Sequence, residues 1–148
     1  GNPAQMLKSW YIGFFQLPVL PELALTLGDG QGMATMLLRA SNPGSFKDAD
    51  IAQYVKAWQQ PGAVTAMLNW YRSMVQNRPA PPPDGRIHMP TLILWGRNDI
   101  ALEPQMAEQS LAYCDDARLI QYDDAGHFVQ HDKPDAISAE LIAFFQQA

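Results

Sequence analysis

Apolar residues recur at steps of three and four positions through the first half of the chain, from residue 4 to residue 76. This spacing places them on one face of an amphipathic helix, and the region lacks the strict alternation of a half-buried strand. The pattern therefore predicts a helical region, whose first helix buries Met6, Leu7, Trp10, Phe14 and Leu17.

Helix boundaries in this region are predicted from proline and capping chemistry. Pro18 and Pro21 should end the first helix, and the glycine cluster at residues 28–32 is typical of a turn. Asp48 or Asp50 can cap a later helix. Pro61 is expected in the first turn of the last helix, where its missing N–H group costs nothing.

The second half of the chain has a different pattern. Residues 91–95 and 118–122 are short apolar runs, typical of strands buried in a parallel sheet. Pro104 begins a helical pattern that extends to Tyr113, and Pro134 begins the final one. The order strand, helix, strand, helix predicts an α/β class, with a helical region followed by part of a larger α/β sheet.

The predicted domains are a helical cap at residues 1–78, a proline-rich connector at 79–86, and part of a sheet-bearing core at 87–148. Two strands cannot make a sheet covered by helices on both faces, so a strand edge and apolar helix faces would be exposed. We expect a fragment of a larger fold, covered by an N-terminal half or by self-association. The first residue, Gly1, is not an initiator methionine, which agrees with a fragment.

Composition narrows the classes of partner. The chain has 10 Lys and Arg against 15 Asp and Glu, a net charge of −5, so no basic surface for nucleic acid or anionic membrane is expected. The single cysteine, Cys114, excludes an internal disulfide and fits a reducing compartment. No apolar run approaches the roughly 18 residues of a membrane helix. We expect a soluble, cytoplasmic protein without a membrane or nucleic-acid partner.

The candidate chemistry lies directly after the two predicted strands. Asp99 follows the first, and Gly126 and His127 follow the second. An acid and a histidine in this order are how α/β-hydrolases supply the last two members of a catalytic triad. The nucleophile should precede them, yet no Gly-x-[Ser/Asp/Cys]-x-Gly elbow occurs in the 148 residues. We therefore expect the nucleophile in an absent N-terminal half.

Four segments give the chain its resemblance to the epoxide hydrolase family of α/β-hydrolases. Residues 9–18 (SWYIGFFQLP) and 69–72 (NWYR) are similar to the two cap segments that each carry a tyrosine. Residues 96–99 (GRND) resemble the acid loop, and residues 126–130 (GHFVQ) with 132–134 (DKP) resemble the histidine loop. The two loops are shared widely among α/β-hydrolases, whereas the paired tyrosines favour epoxide hydrolases.

The resemblance implies a mechanism with four residues of this chain. An aspartate from the missing half opens a small apolar epoxide, and Tyr11 and Tyr71 donate hydrogen bonds or a proton to the developing alkoxide. Phenols suit this role because their pKa of about 10 keeps them protonated at neutral pH. His127 then activates water to hydrolyse the ester, and Asp99 orients its ring.

Other residues with reactive or metal-binding side chains have simpler interpretations. Glu103, directly before Pro104, is expected to stabilise the start of a helix, although it is a possible substitute for the catalytic acid. His127 and His131 are four residues apart but lack the glutamate of a His-Glu-x-x-His motif and lie in an expected loop, so we predict no metal site. We also expect no cofactor. The remaining candidates, expected to be structural, are Cys114, Tyr54, Tyr113 and Tyr122.

Three other functions remain open from the sequence. A haloalkane or haloacetate dehalogenase would use the same aspartyl ester, and Trp10 and Trp70 could donate N–H groups to its halide. A serine esterase would use the same acid and histidine. A truncated module could instead be non-catalytic and assemble through its open strand edge. On the leading hypothesis, this chain alone is inactive.

Overall fold

The chain divides into two compact units in the structure, a computed structural model that describes residues 3–77 and 80–147. The helical unit comprises residues 3–39 and 46–77, and the sheet unit comprises residues 40–45 and 80–147. Residues 1, 2, 78, 79 and 148 lie outside the described residues, and with them the expected start of the connector.

The helical unit confirms the predicted helical character of the first half of the chain. Its helices are α1 (Pro3–Lys8), α2 (Trp10–Phe14), α3 (Leu20–Thr26), α4 (Gln31–Arg39), α5 (Asp48–Trp58) and α6 (Ala63–Gln76). The glycine cluster contributes to a 3-10 turn, Leu27–Gly30, between α3 and α4.

The first helix is divided where the sequence predicted it to be continuous. The predicted buried face is also wrong, because Met6, Leu7 and Trp10 are 73%, 79% and 70% exposed. Ser9 leaves the helical backbone conformation (φ −84°, ψ 10°) between α1 and α2. Its hydroxyl accepts a hydrogen bond of 2.8 Å from the amide of Gln5. The backbone N–H of Ser9 still donates to the carbonyl of Gln5 at 2.9 Å, so the last helical bond of α1 is kept and the break lies in the backbone angles of Ser9.

Asp50 caps α5, as one of the two aspartates predicted for this role. It lies in the first turn and accepts a 2.9 Å hydrogen bond from the backbone N–H of Lys47, the residue before the helix. The start of α6 differs from the prediction. Pro61 lies ahead of α6 instead of within it, because Gly62 takes a left-handed conformation (φ 79°) and α6 begins at Ala63. A left-handed residue cannot continue a right-handed helical turn.

The core of the helical unit forms between α4 and α6. Met33, Val64 and Leu68 are buried together, and Phe15, Leu25 and Trp58 pack against them.

Arg72 of α6 forms a polar clamp with the chain that precedes α4. It makes a 2.7 Å ion pair with Glu22 of α3 and donates hydrogen bonds to the carbonyls of Phe15 and Leu17, both at 3.0 Å. The clamp fixes α6 against the chain that follows α2.

The sheet unit has the predicted order of strands and helices. It contains β1 (Thr91–Gly96), α7 (Gln105–Ser110), β2 (Ala117–Tyr122), α8 (Val129–Asp132) and α9 (Pro134–Gln147). The strands are parallel, and their register pairs Thr91 with Ala117 and Gly96 with Tyr122. The helix after Pro104 is shorter than predicted, because residues 111–113 form a 3-10 turn. Among the described residues, β1 and β2 pair only with each other.

Residues 40–45 join the sheet unit although the sequence placed them within the helical cap. The chain leaves the helical unit after α4, passes through this segment and returns at α5. The carbonyl of Ala40 accepts a 2.9 Å hydrogen bond from the backbone N–H of His127. A turn-rich sequence around Pro43 therefore becomes part of the surroundings of the histidine.

The connector has no regular secondary structure over residues 80–86. It ends at an isolated parallel bridge between Ile87 and Cys114. Beside this bridge, Arg86 and His88 both contact the carboxylate of Asp115 at 2.5 Å, and His88 also contacts Asp84 at 2.8 Å. Hydrogen bonds to Asp115 and then to Asp84 raise the pKa of His88.

No helix in residues 3–77 or 80–147 is both long and apolar enough to cross a membrane.

Replacing Leu68 by Ala should destabilise the helical unit by about 2–5 kcal/mol, because the side chain is 1% exposed and its loss leaves a cavity. The matched control is Leu7→Ala on α1, where the leucine is exposed and the change should stay within about 0.5 kcal/mol. Urea unfolding of both variants measures the difference. Equal losses would contradict the core described above.

Candidate active site

Asp99 lies in the loop that follows β1, and its side chain is only 6% exposed. Its Oδ1 accepts hydrogen bonds from the backbone N–H groups of Ala101 at 2.7 Å and Leu102 at 2.9 Å. These bonds fix the carboxylate within its own loop. They leave Oδ2 directed at the neighbouring loop, where His127 lies.

His127 lies in the histidine loop, residues 123–128, which follows β2. Its Nδ1 is 2.9 Å from Oδ2 of Asp99, and its side chain is 34% exposed. An ionised carboxylate can only accept, so Nδ1 carries the proton of this hydrogen bond. In the neutral ring, Nε2 then has a free lone pair, which is the arrangement of a general base.

The electrostatics of this pair favour charge on both partners. The hydrogen bond to Asp99 raises the pKa of His127 and outweighs the opposing effect of burial. Burial alone would raise the pKa of Asp99, but hydrogen bonds from His127, Leu102 and Ala101 together hold that pKa below its usual value. Asp99 is therefore the ionised partner, suited to stabilise an imidazolium.

The two loops meet because their strands end in register. Gly96 pairs with Tyr122 at the ends of β1 and β2. Beyond this pair, the N–H of Arg97 donates to the carbonyl of Tyr122 and that of Asn98 to the carbonyl of Ala125, both at 2.9 Å. The backbones run so close that a Cβ on Gly96 would lie 2.2 Å from the carbonyl oxygen of Gly126.

The two tyrosines identified from the sequence are in contact inside the helical unit. The rings of Tyr11 on α2 and Tyr71 on α6 lie 5.8 Å apart between centroids, nearly perpendicular at 81°. Phe15 contacts both rings, at 5.6 Å and 5.0 Å. The amide of Gln16 donates to the backbone carbonyl of Tyr71 at 3.1 Å. Residues 60 positions apart are thus held as one aromatic cluster.

Other candidates from the sequence have different surroundings. Asp99, and not Glu103, is the acid that contacts His127. Cys114 is buried, and its thiol donates to the carbonyl of Ser110. His131 lies within α8, not in a loop as predicted, because Val129–Asp132 forms a single helical turn. No group of three metal-binding side chains occurs within the part of the chain that the structure describes.

The three other tyrosines, which the sequence predicted to be structural, have different surroundings. Tyr54 packs its ring against Phe46 and Trp58, and Tyr113 is exposed. Burial raises the pKa of Tyr122, with the nearby charge of Glu140 acting in the same direction.

Asp132 is the residue near the site that the sequence did not single out for a role. Its carboxylate accepts the backbone N–H of Gly126, directly before the histidine. The sequence carried one signal, the position of this aspartate in the DKP motif after the histidine. Its partners in residues 40–45 lie about 90 positions away and have no periodic relation to it.

Comparison with known proteins identifies the family to which the chain belongs. A family model described as the alpha/beta hydrolase fold matches residues 4–134. The chain belongs to the α/β-hydrolase family. The fold class predicted from the sequence, a partial α/β-hydrolase fold, is thereby confirmed.

Two curated proteins illustrate the relationship of this α/β-hydrolase chain. The AB hydrolase superfamily protein YfhM of Bacillus subtilis is 35% identical over 144 residues, which are 97% of this chain and 50% of that protein. Epoxide hydrolase 2 of Caenorhabditis elegans is 35% identical over 149 residues, covering 97% of this chain and 41% of that protein. The resemblance to epoxide hydrolases is confirmed, and the chain spans about half the length of these relatives or less.

A solved structure agrees in fold. The crystal structure of Bacillus megaterium epoxide hydrolase in complex with an inhibitor has a TM-score of 0.81 to this chain. The match covers 98% of this chain and 54% of the other at 22% sequence identity, a level at which it supports the fold alone.

Replacing Gly96 by Ala in this α/β-hydrolase chain should destabilise it by about 1–3 kcal/mol, because the new methyl group overlaps the backbone of the histidine loop. The matched control is Gly32→Ala in α4, where a Cβ meets nothing within 4 Å. That substitution should stabilise the protein by roughly 0.5–1 kcal/mol. Urea unfolding distinguishes the two, and stabilisation by both would contradict the close approach.

Replacing Asp99 by Asn should lower the pKa of His127, since the amide oxygen can still accept from Ala101 and Leu102 but the charge facing the ring is gone. His127 has a raised pKa in the folded state, so its contribution to stability is fully present below its unfolded pKa of about 6.5 and is lost as pH rises through the folded value. Asp99 has a lowered pKa, so its contribution is lost as pH falls through that value.

The stability difference between wild type and Asp99→Asn should therefore be largest between about pH 4, near the unfolded pKa of an aspartate, and about pH 6.5, and should shrink at lower and at higher pH. Side-chain NMR titration measures the pKa of His127, and urea unfolding across this pH range measures the stability difference. An unchanged His127 pKa, or a difference that grows with pH, would contradict the ion pair.

Proposed function

We propose that this chain is the cap and the C-terminal part of an epoxide hydrolase that converts an epoxide to a diol through an aspartyl ester. The observation that carries the choice of epoxide is the contact between Tyr11 and Tyr71, at 5.8 Å between ring centroids. Two phenols in one cluster can donate to a single oxygen. The nucleophilic aspartate belongs to a segment outside the 148 residues.

In the first step, a carboxylate oxygen of that aspartate attacks a ring carbon of the epoxide. A carbon–oxygen bond of the ring breaks, and the departing oxygen becomes an alkoxide. Tyr11 and Tyr71 hydrogen-bond to this oxygen, and one of them gives it a proton. The product of the step is a hydroxyalkyl ester of the aspartate.

In the second step, Nε2 of His127 takes a proton from water, and the hydroxide attacks the ester carbonyl carbon. Asp99 stabilises the imidazolium that forms, which agrees with its buried, hydrogen-bonded carboxylate. Collapse of the tetrahedral intermediate releases the diol and restores the aspartate. The proton on His127 replaces the one that the tyrosine gave up, so epoxide plus water gives diol.

The domain roles follow from this assignment. Residues 1–78 are the cap, 79–86 the connector, and 87–148 the C-terminal part of the hydrolase core. The packing of residues 40–45 in the sheet unit supports adding that segment to the core. The free edges of β1 and β2 among the described residues support a further segment, or a second copy, that completes the sheet.

The alternative functions have less support. Trp10 and Trp70, the halide donors of a dehalogenase, are 70% and 78% exposed within this chain. A serine esterase would use Asp99 and His127 but gives no role to the tyrosine pair. The open strand edges fit a non-catalytic assembly module, although such a module has no need of a buried Asp99 bonded to His127.

In the complete protein that carries this chain, Tyr11→Phe and Tyr71→Phe should each slow ring opening of a styrene-oxide-like substrate by about 10²–10³-fold, because each removes one donor from the developing alkoxide. The double variant should nearly abolish ring opening. Rapid-quench kinetics measures this step separately from ester hydrolysis. The matched control is Tyr113→Phe, which changes an exposed tyrosine.

Unaltered ring-opening rates in both single variants would remove the case for an epoxide. Release of halide from a haloalkane, lost in Trp10→Phe or Trp70→Phe, would instead favour a dehalogenase. The 148-residue chain alone should not turn over either substrate. Turnover by that chain, lost in His127→Ala, would contradict a nucleophile outside it.

A further inference from the structure

We propose that Asp132 is a positioning residue that holds the backbone of His127 in place by joining the histidine loop to residues 40–45. The catalytic part of this inference rests on the proposed function, whereas the positioning of the histidine stands on the geometry of the sheet unit alone.

The carboxylate of Asp132 is shared among three donors. Its Oδ2 accepts the backbone N–H of Gly126 at 2.6 Å. Its Oδ1 accepts the backbone N–H of Asn42 at 2.9 Å and the hydroxyl of Ser45 at 2.5 Å. All three donors are neutral, and hydrogen bonds to an ionised acceptor are shorter and stronger than neutral ones.

These hydrogen bonds connect three separate segments of the chain, which do not belong to one helix or one sheet. Asp132 ends the short helix α8, Gly126 lies in the histidine loop, and residues 40–45 form turns. The N–H groups of a loop lack the regular partners of a helix or sheet, and side chains can serve as their acceptors. The carboxylate of Asp132 accepts from backbone N–H groups of both the histidine loop and residues 40–45.

The residues on either side of the bond to Gly126 confirm how tightly the loops are joined. The N–H of His127 donates to the carbonyl of Ala40 at 2.9 Å, and the amide of Asn42 donates to the carbonyl of Asp124 at 2.5 Å. A Cβ on Gly126 would lie 2.7 Å from the Ala40 oxygen. The histidine loop therefore rests on residues 40–45 over several consecutive peptide groups.

The consequence reaches the imidazole through the backbone. The ring of His127 bonds to Asp99 on one side, and the position of its Cα depends on the loop that carries it. Asparagine at position 132 has one acceptor oxygen and an NH₂ group that only donates, so it cannot accept hydrogen bonds from all three donors. Asp132→Asn should therefore loosen the loop, although the bonds from His127 to Ala40 and from Asn42 to Asp124 remain, and should weaken the contact between His127 and Asp99.

The effect on the reaction should be confined to the step that uses the histidine. A displacement of about 1 Å can cost up to about 10²-fold in rate. In the complete protein, Asp132→Asn should slow ester hydrolysis by roughly 10-fold to 10²-fold and leave the ring-opening rate unchanged. The value of kcat should therefore fall while the rate of ester formation stays that of the wild type.

The test combines this kinetic measurement with side-chain NMR of His127 in the same protein. Asp132→Asn should lower the pKa of His127 towards its ordinary value, because the hydrogen bond to Asp99 is the main cause of the raised pKa. Ser45→Ala keeps the charge of Asp132 and removes one donor, so it should lower the pKa in the same direction by less. Asp124→Asn removes an exposed carboxylate of the same loop and should leave the pKa unchanged.

Each outcome decides the inference. A lowered His127 pKa in both Asp132→Asn and Ser45→Ala supports positioning, even if no aspartyl ester is found and the proposed function fails. A lower pKa in Asp132→Asn and Asp124→Asn but not in Ser45→Ala would mean that charge alone acts, and would overturn it. Reduced thermal stability with an unchanged His127 pKa in Ser45→Ala would also overturn it, including when Asp132→Asn does not fold.

Discussion

The hydrogen bond between His127 and Asp99 depends on the parallel register of two short strands. Pairing of Gly96 with Tyr122 ends both strands at the same level, so the loops that follow must emerge side by side. The acid loop then bonds to the histidine loop through backbone groups, and the buried carboxylate meets the ring at 2.9 Å. A glycine at position 96 is required because the backbones approach too closely for a side chain.

The sequence predicted the parts of this arrangement that arise from local pattern. Apolar runs located both strands, and the order of acid and histidine at successive strand ends identified Asp99 and His127. The division at Ser9 and the start of α6 beyond Pro61 were not predicted, because single backbone conformations decide them. The role of residues 40–45 was hidden for another reason: their partners lie far away in the chain, and a turn-forming sequence does not encode what it will contact.

The two units supply different kinds of chemistry. The helical unit holds two phenols in one aromatic cluster, which suits donation to a developing negative charge. The sheet unit holds an imidazole whose basicity is raised by an ionised neighbour, which suits removal of a proton from water. Neither unit contains a nucleophile elbow in its sequence. This division of roles agrees with the proposed reaction, in which an ester forms in one step and is hydrolysed in a second.

The aspartyl ester is tested most directly by mass spectrometry of the complete protein carrying His127→Ala after exposure to a styrene-oxide-like substrate. We expect a persistent covalent adduct with the mass of the epoxide, because ring opening proceeds and ester hydrolysis lacks its base. Peptide mapping should place the adduct on an aspartate outside the 148 residues. Absence of any adduct while the wild type turns over the same epoxide, or an adduct on a residue of this chain, would contradict it.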